Sequence, residues 1–569
     1  MRYQRFIAGC LLAGLAACAV KSPPAATTSA EVTFSELKAA RTSSEWLTYG
    51  HDYDNQRYAS LDEINTRNVS KLVPVYVFQT GVAEPFETSP IVSNGMIYLT
   101  AAGDRVFAVD ARRGSLVWQY SPHIEHKMKL CCGPVNRGVA IGDGLVFVGQ
   151  LDDRLVALDE HTGRVVWSTA IANESDGYSI TMAPLVYGNT VIVGVAGGEF
   201  AIRGFIAAYS ITDGHEVWRW YSTDPQHWAG NFVSTTADGS PLHRDIAKER
   251  SSYSRFSDAW KRGGGAIWMT PAADPVRNTI YFTTGNPWPD YSDARRPGDN
   301  LYTDSIVALN ASTGKLRWYF QEVPHDLWDW DAASPAVLFD TKDAAGHPRA
   351  AIGEAGKTGW FYVLDRDTGA LIRRSDNFVP QLNMFQEPTP RGIDVLPGAG
   401  GGSNWSPVSM NPTLGIAVVT AIHNPVRFYT GGTKKGEDAD EGAGETGSLG
   451  SRSERIEGSR RYGLVSGIDV NTGNLVWQDR FGEPFIGGSV STGGGVTFFG
   501  ESNGNFDAVD TKSGTLLWQF QTGAGVNAPP IVFSLDGHEF VAVASGGNNR
   551  VRSRIGDSLF VYALSGERP

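Results

Sequence analysis

Two adjacent cysteines, Cys131 and Cys132, are the residues with the most distinctive chemistry in this sequence. The chain holds four cysteines, and the other two, Cys10 and Cys18, lie in an N-terminal segment with the features of an export signal. Neighbouring thiols in an oxidising compartment tend to pair, although adjacent Cα atoms lie only ~3.8 Å apart, closer than in most disulfides. A disulfide between adjacent cysteines closes a strained ring, and strain of this kind tends to gather at functional sites. Two free, buried thiols that only pack remain the alternative.

A repeat that fills the chain from Trp46 onward must position these thiols. Short alternating runs such as residues 91–99 are separated by Gly, Asn and Asp, and they predict β-strands. The recurring pattern Ala-x-Asp-x-x-(Thr/Ser)-Gly-x-x-x-Trp predicts a strand, a glycine turn and a second strand whose Trp packs between sheets. Copies end at Trp118, Trp167, Trp218, Trp318, Trp477 and Trp518, with a degenerate copy ending at Arg373 and a fragment at residues 562–566.

The spacing of the copies predicts a β-propeller over residues 41–569. Trp118 and Trp167 are 49 residues apart, and Trp477 and Trp518 are 41 apart, close to the ~40–50 residues of a four-stranded blade. Seven copies and the terminal fragment predict an all-β, eight-bladed propeller with tryptophan-docking repeats, and seven blades are the alternative. The last blade is expected to combine strands from both ends of the chain, which removes free sheet edges.

Composition excludes some other functions. The chain has 569 residues, of which 41% are hydrophobic, so a large core is possible. Its formal net charge is −12, which argues against a nucleic-acid partner because such a partner requires a basic face. No run of eighteen apolar residues follows the N-terminal segment, so the body of the chain is not expected to cross a membrane.

The N-terminal residues 1–18 predict a signal peptide with a lipobox. A short basic stretch precedes the apolar residues 6–17, which are too few to span a bilayer. The segment ends Leu-Ala-Ala-Cys18, which resembles the bacterial lipoprotein box whose cysteine is lipidated, and an ordinary signal peptide is the alternative. A lipobox and an ordinary signal peptide both predict a periplasmic protein. Residues 19–40, rich in Ala, Ser, Thr and Pro, predict a flexible tether.

The repeat, the cysteine pair and the export signal together resemble the quinoprotein alcohol dehydrogenases, which use pyrroloquinoline quinone (PQQ) and a divalent or trivalent metal ion. The resemblance covers nearly all of the chain after Trp46. It implies a Cys131–Cys132 disulfide against one face of the quinone and Trp268, which follows three glycines, against the other. No Cys-x-x-Cys-His motif is present, so c-type haem is not expected, and the resemblance implies a separate cytochrome c as electron acceptor.

The same resemblance assigns further residues to the binding of PQQ. An arginine suits a quinone carboxylate because its guanidinium binds a carboxylate in a bidentate fashion, and two adjacent glycines allow the backbone to approach a ligand. With the two cysteines and Trp268, the implied PQQ-binding residues are Glu87, Arg137, Thr181, Gly197, Gly198, Lys357 and Asn404.

The resemblance also implies one metal ion, Ca²⁺ or a lanthanide, held by oxygen atoms of Glu199, Asn286, Asp329 and Asp331. In the family, the metal polarises the quinone carbonyl that receives the hydride. Asp329 matches the catalytic base that accepts the alcohol proton. Lys357 and the metal are expected to keep the pKa of Asp329 low, because positive neighbours favour the charged carboxylate.

Asp331 favours a lanthanide as the metal. Calcium-type methanol dehydrogenases tend to have a small uncharged residue at this place, whereas lanthanide-type members have an Asp ligand there. If the segment is extended, Asp329 and Asp331 lie on the same face and can reach one ion. The alternative is a carboxylate that only bonds nearby backbone, and glucose dehydrogenases can carry Asp there with Ca²⁺ or Mg²⁺.

The sequence therefore predicts an exported PQQ- and metal-dependent dehydrogenase that oxidises alcohols to aldehydes or ketones. A non-catalytic propeller lipoprotein, like the scaffold subunit of the outer-membrane protein assembly machine, is one alternative, because fold alone does not imply function. Such a scaffold needs neither the cysteine pair nor the acidic residues. A PQQ-dependent sugar or polyol dehydrogenase is the other alternative.

Overall fold

Strands dominate the computed structural model, which describes residues 31–124, 128–430 and 451–566. The predicted signal peptide, lipobox and Cys18 lie outside these residues. The two α-helices within them are short, and the all-β prediction is confirmed. The helices are α1 (Phe34–Ala39) and α2 (Ile246–Ser252), and the 3₁₀-helices are Ala40–Thr42, Val69–Lys71, Glu174–Asp176, Gly198–Phe200, Tyr253–Phe256 and Ala259–Arg262.

The described residues contain 36 strands, most of them three to eight residues long. In chain order they are β1 (Tyr58–Ala59), β2 (Leu72–Gln79), β3 (Ile91–Ser93), β4 (Met96–Ala101), β5 (Arg105–Asp110), β6 (Ser115–Tyr120), β7 (Ala140–Gly142), β8 (Leu145–Gly149), β9 (Arg154–Asp159), β10 (Val165–Ala170), β11 (Leu185–Tyr187), β12 (Thr190–Gly194), β13 (Phe205–Ser210), β14 (Glu216–Tyr221), β15 (Ala272–Asp274), β16 (Thr279–Thr283), β17 (Ser305–Asn310), β18 (Leu316–Gln321), β19 (Val337–Lys342), β20 (Pro348–Ala355), β21 (Phe361–Asp365), β22 (Leu371–Arg374), β23 (Ile393–Val395), β24 (Ser409–Asn411), β25 (Ile416–His423), β26 (Val426–Tyr429), β27 (Arg452–Arg455), β28 (Tyr462–Asp469), β29 (Leu475–Phe481), β30 (Ser489–Thr492), β31 (Val496–Gly500), β32 (Asn505–Asp510), β33 (Leu516–Gln521), β34 (Ile531–Leu535), β35 (His538–Ser545) and β36 (Ser558–Leu564).

These strands pair into eight antiparallel sheets of four strands and one smaller sheet, β23-β26-β27, within the described ranges. β1 adds to one of the eight in parallel, beside β30. Sheets 1 to 5 are β3–β6, β7–β10, β11–β14, β15–β18 and β19–β22, sheet 6 is β24-β25-β28-β29, sheet 7 is β30–β33, and sheet 8 is β34-β35-β36-β2. Sheet 8 thus joins an early strand to the last three, as the sequence predicted for a closing blade.

The recurring Trp of the sequence pattern connects each sheet to the next. On the last strand of sheet 1, the Trp118 indole N–H donates to the Glu160 carbonyl of sheet 2, at 2.9 Å. The turn glycine of sheet 2, Gly163, lies under this ring with a φ of +68°, and a Cβ there would lie 2.5 Å from the ring. Equivalent indole hydrogen bonds are made by Trp167, Trp218, Trp318, Trp477 and Trp518 to Ile211, Ala311, Arg366, Thr511 and Leu72.

Two other side chains make this contact where the Trp is missing. Arg373, the last residue of the degenerate copy, donates from Nη1 to the Val470 carbonyl of sheet 6, at 2.8 Å. Tyr76 of sheet 8 donates from its hydroxyl to the Ala111 carbonyl of sheet 1, also at 2.8 Å. Each of the eight sheets therefore contacts its successor through a donor at the same position, and the eighth contacts the first.

The folded part begins before the predicted boundary at residue 41. Thr33 caps α1, its hydroxyl accepting from the Glu36 N–H while the Glu36 carboxylate accepts from the Thr33 N–H. This reciprocal arrangement is a capping box. Leu37 and Ala40 are buried in the hydrophobic core next to sheets 2 and 3. The end of the predicted tether, residues 33–40, is thus ordered because its apolar side chains pack against the sheets, and residues 19–30 lie outside the described part.

A long segment between sheets 3 and 4 carries α2. Arg244 forms ion pairs with Glu249 of α2 and with Asp299, at 2.5 and 2.6 Å, and all three side chains are almost fully buried. This segment is therefore fixed to the loop that follows β16. In the described part of the chain, no helix has the length and apolar character needed to cross a bilayer.

Candidate active site

The predicted site residues occupy two kinds of position in the sheets. Nine of them precede the first strand of a sheet, namely Glu87, Cys131, Cys132, Arg137, Thr181, Trp268, Asp329, Asp331 and Asn404. The other five follow the second strand of a sheet, namely Gly197, Gly198, Glu199, Asn286 and Lys357. In an antiparallel pair, the start of the first strand lies beside the end of the second. These positions therefore lie at the same end of their sheets, which explains how residues far apart in sequence meet.

One cavity of about 760 Å³, including its open mouth, is lined by all fourteen predicted residues. The implied PQQ-binding residues in its wall are Glu87, Cys131, Cys132, Arg137, Thr181, Gly197, Gly198, Trp268, Lys357 and Asn404, and the implied metal ligands there are Glu199, Asn286, Asp329 and Asp331. The structure therefore brings together every residue that the resemblance assigned. The roles of these residues stay predictions.

A disulfide joins Cys131 and Cys132 in the cavity wall, so the free-thiol alternative does not describe this structure. Trp268 also lines the cavity. The guanidinium of Arg137 lies 5.2 Å from the Trp268 ring and 4.7 Å from the Trp405 ring, distances at which a cation is attracted to an aromatic face. The cavity thus has aromatic and disulfide surfaces, which suit a flat conjugated ligand.

Arg137 and Glu87 form a buried ion pair beside the disulfide. Their closest atoms, Nη2 and Oε2, are 2.8 Å apart, and both side chains are at most 4% exposed. Burial raises the pKa of Glu87, and the Arg137 charge opposes this effect. Arg137 also donates from Nη1 to Thr181 Oγ1, at 3.0 Å. Its buried Nε has no hydrogen-bond partner among the described residues, so one donor of this guanidinium is available to an acceptor from outside the chain.

Backbone geometry brings a glycine loop into the lining of the cavity. Gly197 has a φ of +107°, and a Cβ at this residue would lie 2.0 Å from the Gly177 carbonyl oxygen. No other residue fits without displacing that backbone. A Cβ at Gly198 would lie 3.6 Å from the Ala266 Cβ and 4.0 Å from Asn286 Oδ1. The loop backbone at Gly198 therefore lies close to the Asn286 side chain.

Lys357 bridges the two aspartates that the sequence placed at the centre of the chemistry. Its Nζ lies 2.8 Å from Asp329 Oδ1 and 2.9 Å from Asp331 Oδ2, and it also donates to the Asp329 carbonyl. The second oxygen of Asp331 accepts from the Asn286 backbone N–H. Asp329 has a φ of +60°. Strained backbone of this kind costs free energy and is characteristic of active sites.

Lys357 by itself does not keep the pKa of Asp329 low, and the prediction that Lys357 and a bound metal together do so stays a prediction. Loss of water around the carboxylate raises its pKa well above the usual value, and the Lys357 ammonium offsets only part of this effect. The neighbouring Asp331 and Asp290 charges raise it further. Removal from water also raises the pKa of Glu199, with Asp331 adding to the shift. Negative charge is therefore in excess on this side of the cavity.

The donor set on this side fits a hard cation. Glu199, Asp329 and Asp331 supply carboxylate oxygens and Asn286 an amide oxygen, which are the atoms that Ca²⁺ and similar ions prefer. In the described ranges, no group of three acidic, histidine or cysteine side chains is arranged so that it could hold a metal ion by itself. The residues present therefore fit a metal ion in the chemistry of their oxygen donors, and atoms of another ligand in the cavity would be needed to complete its coordination.

Sequence reasoning missed two prominent side chains of the cavity, Trp405 and Arg550. Arg550 Nη1 lies 3.5 Å from Cys132 Sγ. It follows β35, the second strand of sheet 8, which is one of the two site positions defined above. Applying that rule to every sheet would have found Arg550, and the adjacency of Trp405 to Asn404 would have found Trp405.

The family model described as "PQQ: Glucose/ethanol/alcohol dehydrogenase, beta-propeller domain" matches residues 46–383 and 373–541. The chain belongs to this family of quinoprotein alcohol dehydrogenases. One similar family member is quinoprotein alcohol dehydrogenase PedH of Pseudomonas putida, 35% identical over 525 residues, which cover 88% of this chain and 86% of that protein. Another is the 1-butanol dehydrogenase (quinone) of Thauera butanivorans, 33% identical over 587 residues and covering 93% and 92%.

Solved structures of quinoprotein dehydrogenases have the same fold. The quinohemoprotein alcohol dehydrogenase from Comamonas testosteroni superposes with a TM-score of 0.82 at 32% identity, covering 95% of this chain and 83% of that one. A europium-containing methanol dehydrogenase superposes with a TM-score of 0.81 at 30% identity, covering 93% and 100%. Membership of this propeller family confirms the predicted enzyme class, a PQQ-dependent alcohol dehydrogenase, and favours it over the non-catalytic scaffold.

Proposed function

We propose that the chain is an exported PQQ- and metal-dependent dehydrogenase that oxidises alcohols to aldehydes or ketones and passes electrons to a separate cytochrome c. One observation carries this proposal: the disulfide, Trp268, Arg137 and the Asp329–Lys357–Asp331 group all line a single cavity. A scaffold has no use for this arrangement. The separate cytochrome c acceptor is part of the proposal because the resemblance to the family implies it.

We further infer that sheets 1 to 8 are the eight blades of the propeller. The indole hydrogen bonds between successive sheets, together with those of Arg373 and Tyr76, support this count. A ring of sheets has no free edge strand at its closure, because sheet 8 is built from both ends of the chain. The ring gives the cavity residues a rigid frame.

In the proposed complex, PQQ supplies the two-electron acceptor. The Cys131–Cys132 disulfide and Trp268 would hold its ring system, and Arg137 would donate to one of its carboxylates through the Nε proton that has no partner within the described residues. Thr181 and Asn404 contribute polar contacts. These residues orient the ligand and exclude water from its faces.

Asp329 is the proposed base that accepts the proton of the substrate hydroxyl. Lys357 fixes its carboxylate by donating to Oδ1 and to the main-chain oxygen of the same residue. With Glu199, Asn286 and Asp331, it would also supply ligand oxygens to a bound metal, whose positive charge would offset the effect of burial on the Asp329 carboxylate. Proton acceptance requires this charged form.

Reconstitution tests the proposed function. Apo-protein incubated with PQQ and either La³⁺ or Ca²⁺ is expected to reduce an artificial dye acceptor when a primary or secondary alcohol is added. Activity should require PQQ and a metal together. A screen that includes sugars and polyols tests the alternative substrate class. Failure to bind PQQ, or binding without oxidation of any alcohol, contradicts the proposal.

We also propose that the protein is held at a periplasmic membrane surface by a lipid on Cys18. The lipobox that ends at this residue supports the anchor, since the cysteine of such a box becomes the lipidated first residue. Replacing Cys18 by Ser is expected to move the protein from the membrane fraction to the soluble periplasmic fraction, measured by immunoblotting after fractionation. The unmodified protein recovered only in the soluble fraction would show that the anchor is absent.

A further inference from the structure

The segment that carries α1 packs against one end of the sheets, and two contacts define this end. The Asp143 N–H, in the turn between β7 and β8, donates to the Val32 carbonyl at 2.8 Å. The ring of Phe34 in α1 lies 5.4 Å from the ring of Tyr187, the last residue of β11. Residues 32–34 therefore lie against the turns that join the first and second strands of sheets 2 and 3.

This end of the sheets is opposite the cavity. In sheet 3, β12 starts at the turn beside α1 and leads to Gly197, which lines the cavity. In sheet 2, β7 follows Arg137 of the cavity and leads to the turn at Asp143. The five residues of β12 span ~17 Å at the usual rise of a strand. The segment with α1 and the cavity residues thus lie at the two ends of the same short strands.

An exposed valine lies at the α1 end of the next sheet. Val276, in the turn between β15 and β16, is 93% exposed, more than any other large apolar side chain of the described residues. Its turn is held near α1, because Asn278 accepts a hydrogen bond from the Tyr187 hydroxyl at 3.1 Å. Lys38 of α1 and Pro275 of this turn line one groove. An exposed apolar side chain close to a lysine suits a lipid surface, which takes up apolar groups and attracts cations.

The chain between Cys18 and this end of the sheets is short. Residues 19–31 number thirteen. A flexible tether of this length has a mean end-to-end distance of about 20 Å, and fully extended it reaches about 45 Å. A lipid on Cys18 would therefore hold the α1 end close to the bilayer, whereas the cavity residues lie a strand length further along the sheets.

We propose that the end of the propeller formed by α1 and the turn at Val276 is the membrane-facing surface of the protein, and that its partner is the bilayer that holds the lipid of Cys18. Val276 enters the interface, and Lys38 meets the lipid phosphates. The cavity end faces away from the bilayer, so the alcohol and cytochrome c reach it from the aqueous side. The inference rests on the proposed function, because it requires the lipid anchor.

Fluorescence quenching in vesicles tests the proposal with full-length, lipidated protein. A fluorophore is attached to Thr212→Cys, in the turn between β13 and β14 at the α1 end, or to Glu84→Cys, shortly before β3 at the cavity end. Both residues are exposed. In vesicles of phosphatidylcholine, phosphatidylglycerol and a lipid with a nitroxide headgroup, the label at residue 212 should be quenched and the label at residue 84 should keep its full intensity. Adding Cys18→Ser should abolish the quenching.

Val276→Asp tests the surface itself. In the lipidated protein labelled at residue 212, this change should reduce the quenching, because it replaces an apolar group in the interface by a negative charge. Val117→Asp is the matched control, since Val117 is 52% exposed in the middle of β6, between the two ends of sheet 1, and this change should leave the quenching as it was.

Three results would overturn the inference. They are quenching at residue 84 that equals or exceeds that at residue 212, no quenching of either label on vesicle-bound protein, and an equal effect of the two valine changes. Intact-mass measurement separates these results from a failure of the proposed anchor. Mature protein whose Cys18 carries no lipid would refute the anchor instead.

Discussion

Replacing Asp329 by Asn should reduce kcat by about 10²–10⁴-fold, the range expected when a general base is removed. The amide has nearly the same shape as the carboxylate, but it cannot accept the proton of the substrate hydroxyl. Lys357 would still donate to the amide oxygen and to the main-chain oxygen of residue 329, so the loop should keep its conformation. The measurement is dye-linked turnover at saturating alcohol.

Loss of activity in this variant has two possible origins, because Asp329 is also a proposed metal ligand. PQQ and metal content are therefore measured on the same sample. The turnover of the variant is compared with that of the unmodified protein when both proteins hold PQQ and metal. Asp507→Asn, a buried carboxylate change outside the cavity, serves as the control and should retain full activity. An Asp329→Asn variant that holds PQQ and metal and keeps a substantial share of kcat would remove Asp329 from the role of base.

The second large effect is expected for Asp331→Ala, which should abolish a preference for lanthanide over calcium. We expect La³⁺ to activate the unmodified protein better than Ca²⁺, because the carboxylate of Asp331 adds negative charge next to those of Asp329 and Glu199. Removing it lowers the charge that balances a trivalent ion and removes a ligand, which large ions require in high number. Titration of apo-protein and PQQ with each ion, followed by dye-linked activity, measures the preference.

Asp331→Asn separates charge from coordination in this experiment. The amide retains an oxygen that can bind a metal and can accept from the Asn286 N–H, as the carboxylate does. If charge decides the preference, Asp331→Asn should lose most of the La³⁺ advantage while keeping more Ca²⁺-dependent activity than Asp331→Ala. Equal or better activation of the unmodified protein by Ca²⁺ would refute the lanthanide assignment.

The sequence predicted the repeat and the site because both depend on local chemical requirements. The turn at Gly163 requires a positive φ and the absence of a Cβ under the Trp118 ring, so its pattern is visible in every copy. The site residues were assigned by family resemblance, from short motifs such as the glycines around Gly197. Each motif is weak alone, and together, in this order along a propeller repeat, they identified the site.

Other features depend on contacts between distant segments, and the sequence did not reveal them. Tyr76 takes the place of Trp at the contact between sheets 8 and 1. This can be recognised only when the order of the sheets is known. The place of Arg550 in the cavity wall follows from its contact with Cys132, which is far away in sequence. The raised pKa of Asp329 likewise results from the balance of burial against Lys357, which no motif encodes.

The closure of sheet 8 has a consequence for the order in which the protein can mature. β36 pairs with β2 from Leu72 to Gln79, and the loop before β36 carries Asn548, whose amide donates to Glu87 in the cavity. The site is therefore incomplete until the last strand has docked onto one of the first. Since contacts so distant in sequence form late and slowly, cofactor capture is expected to be coupled to the final step of folding, and a partly folded chain does not hold a finished site.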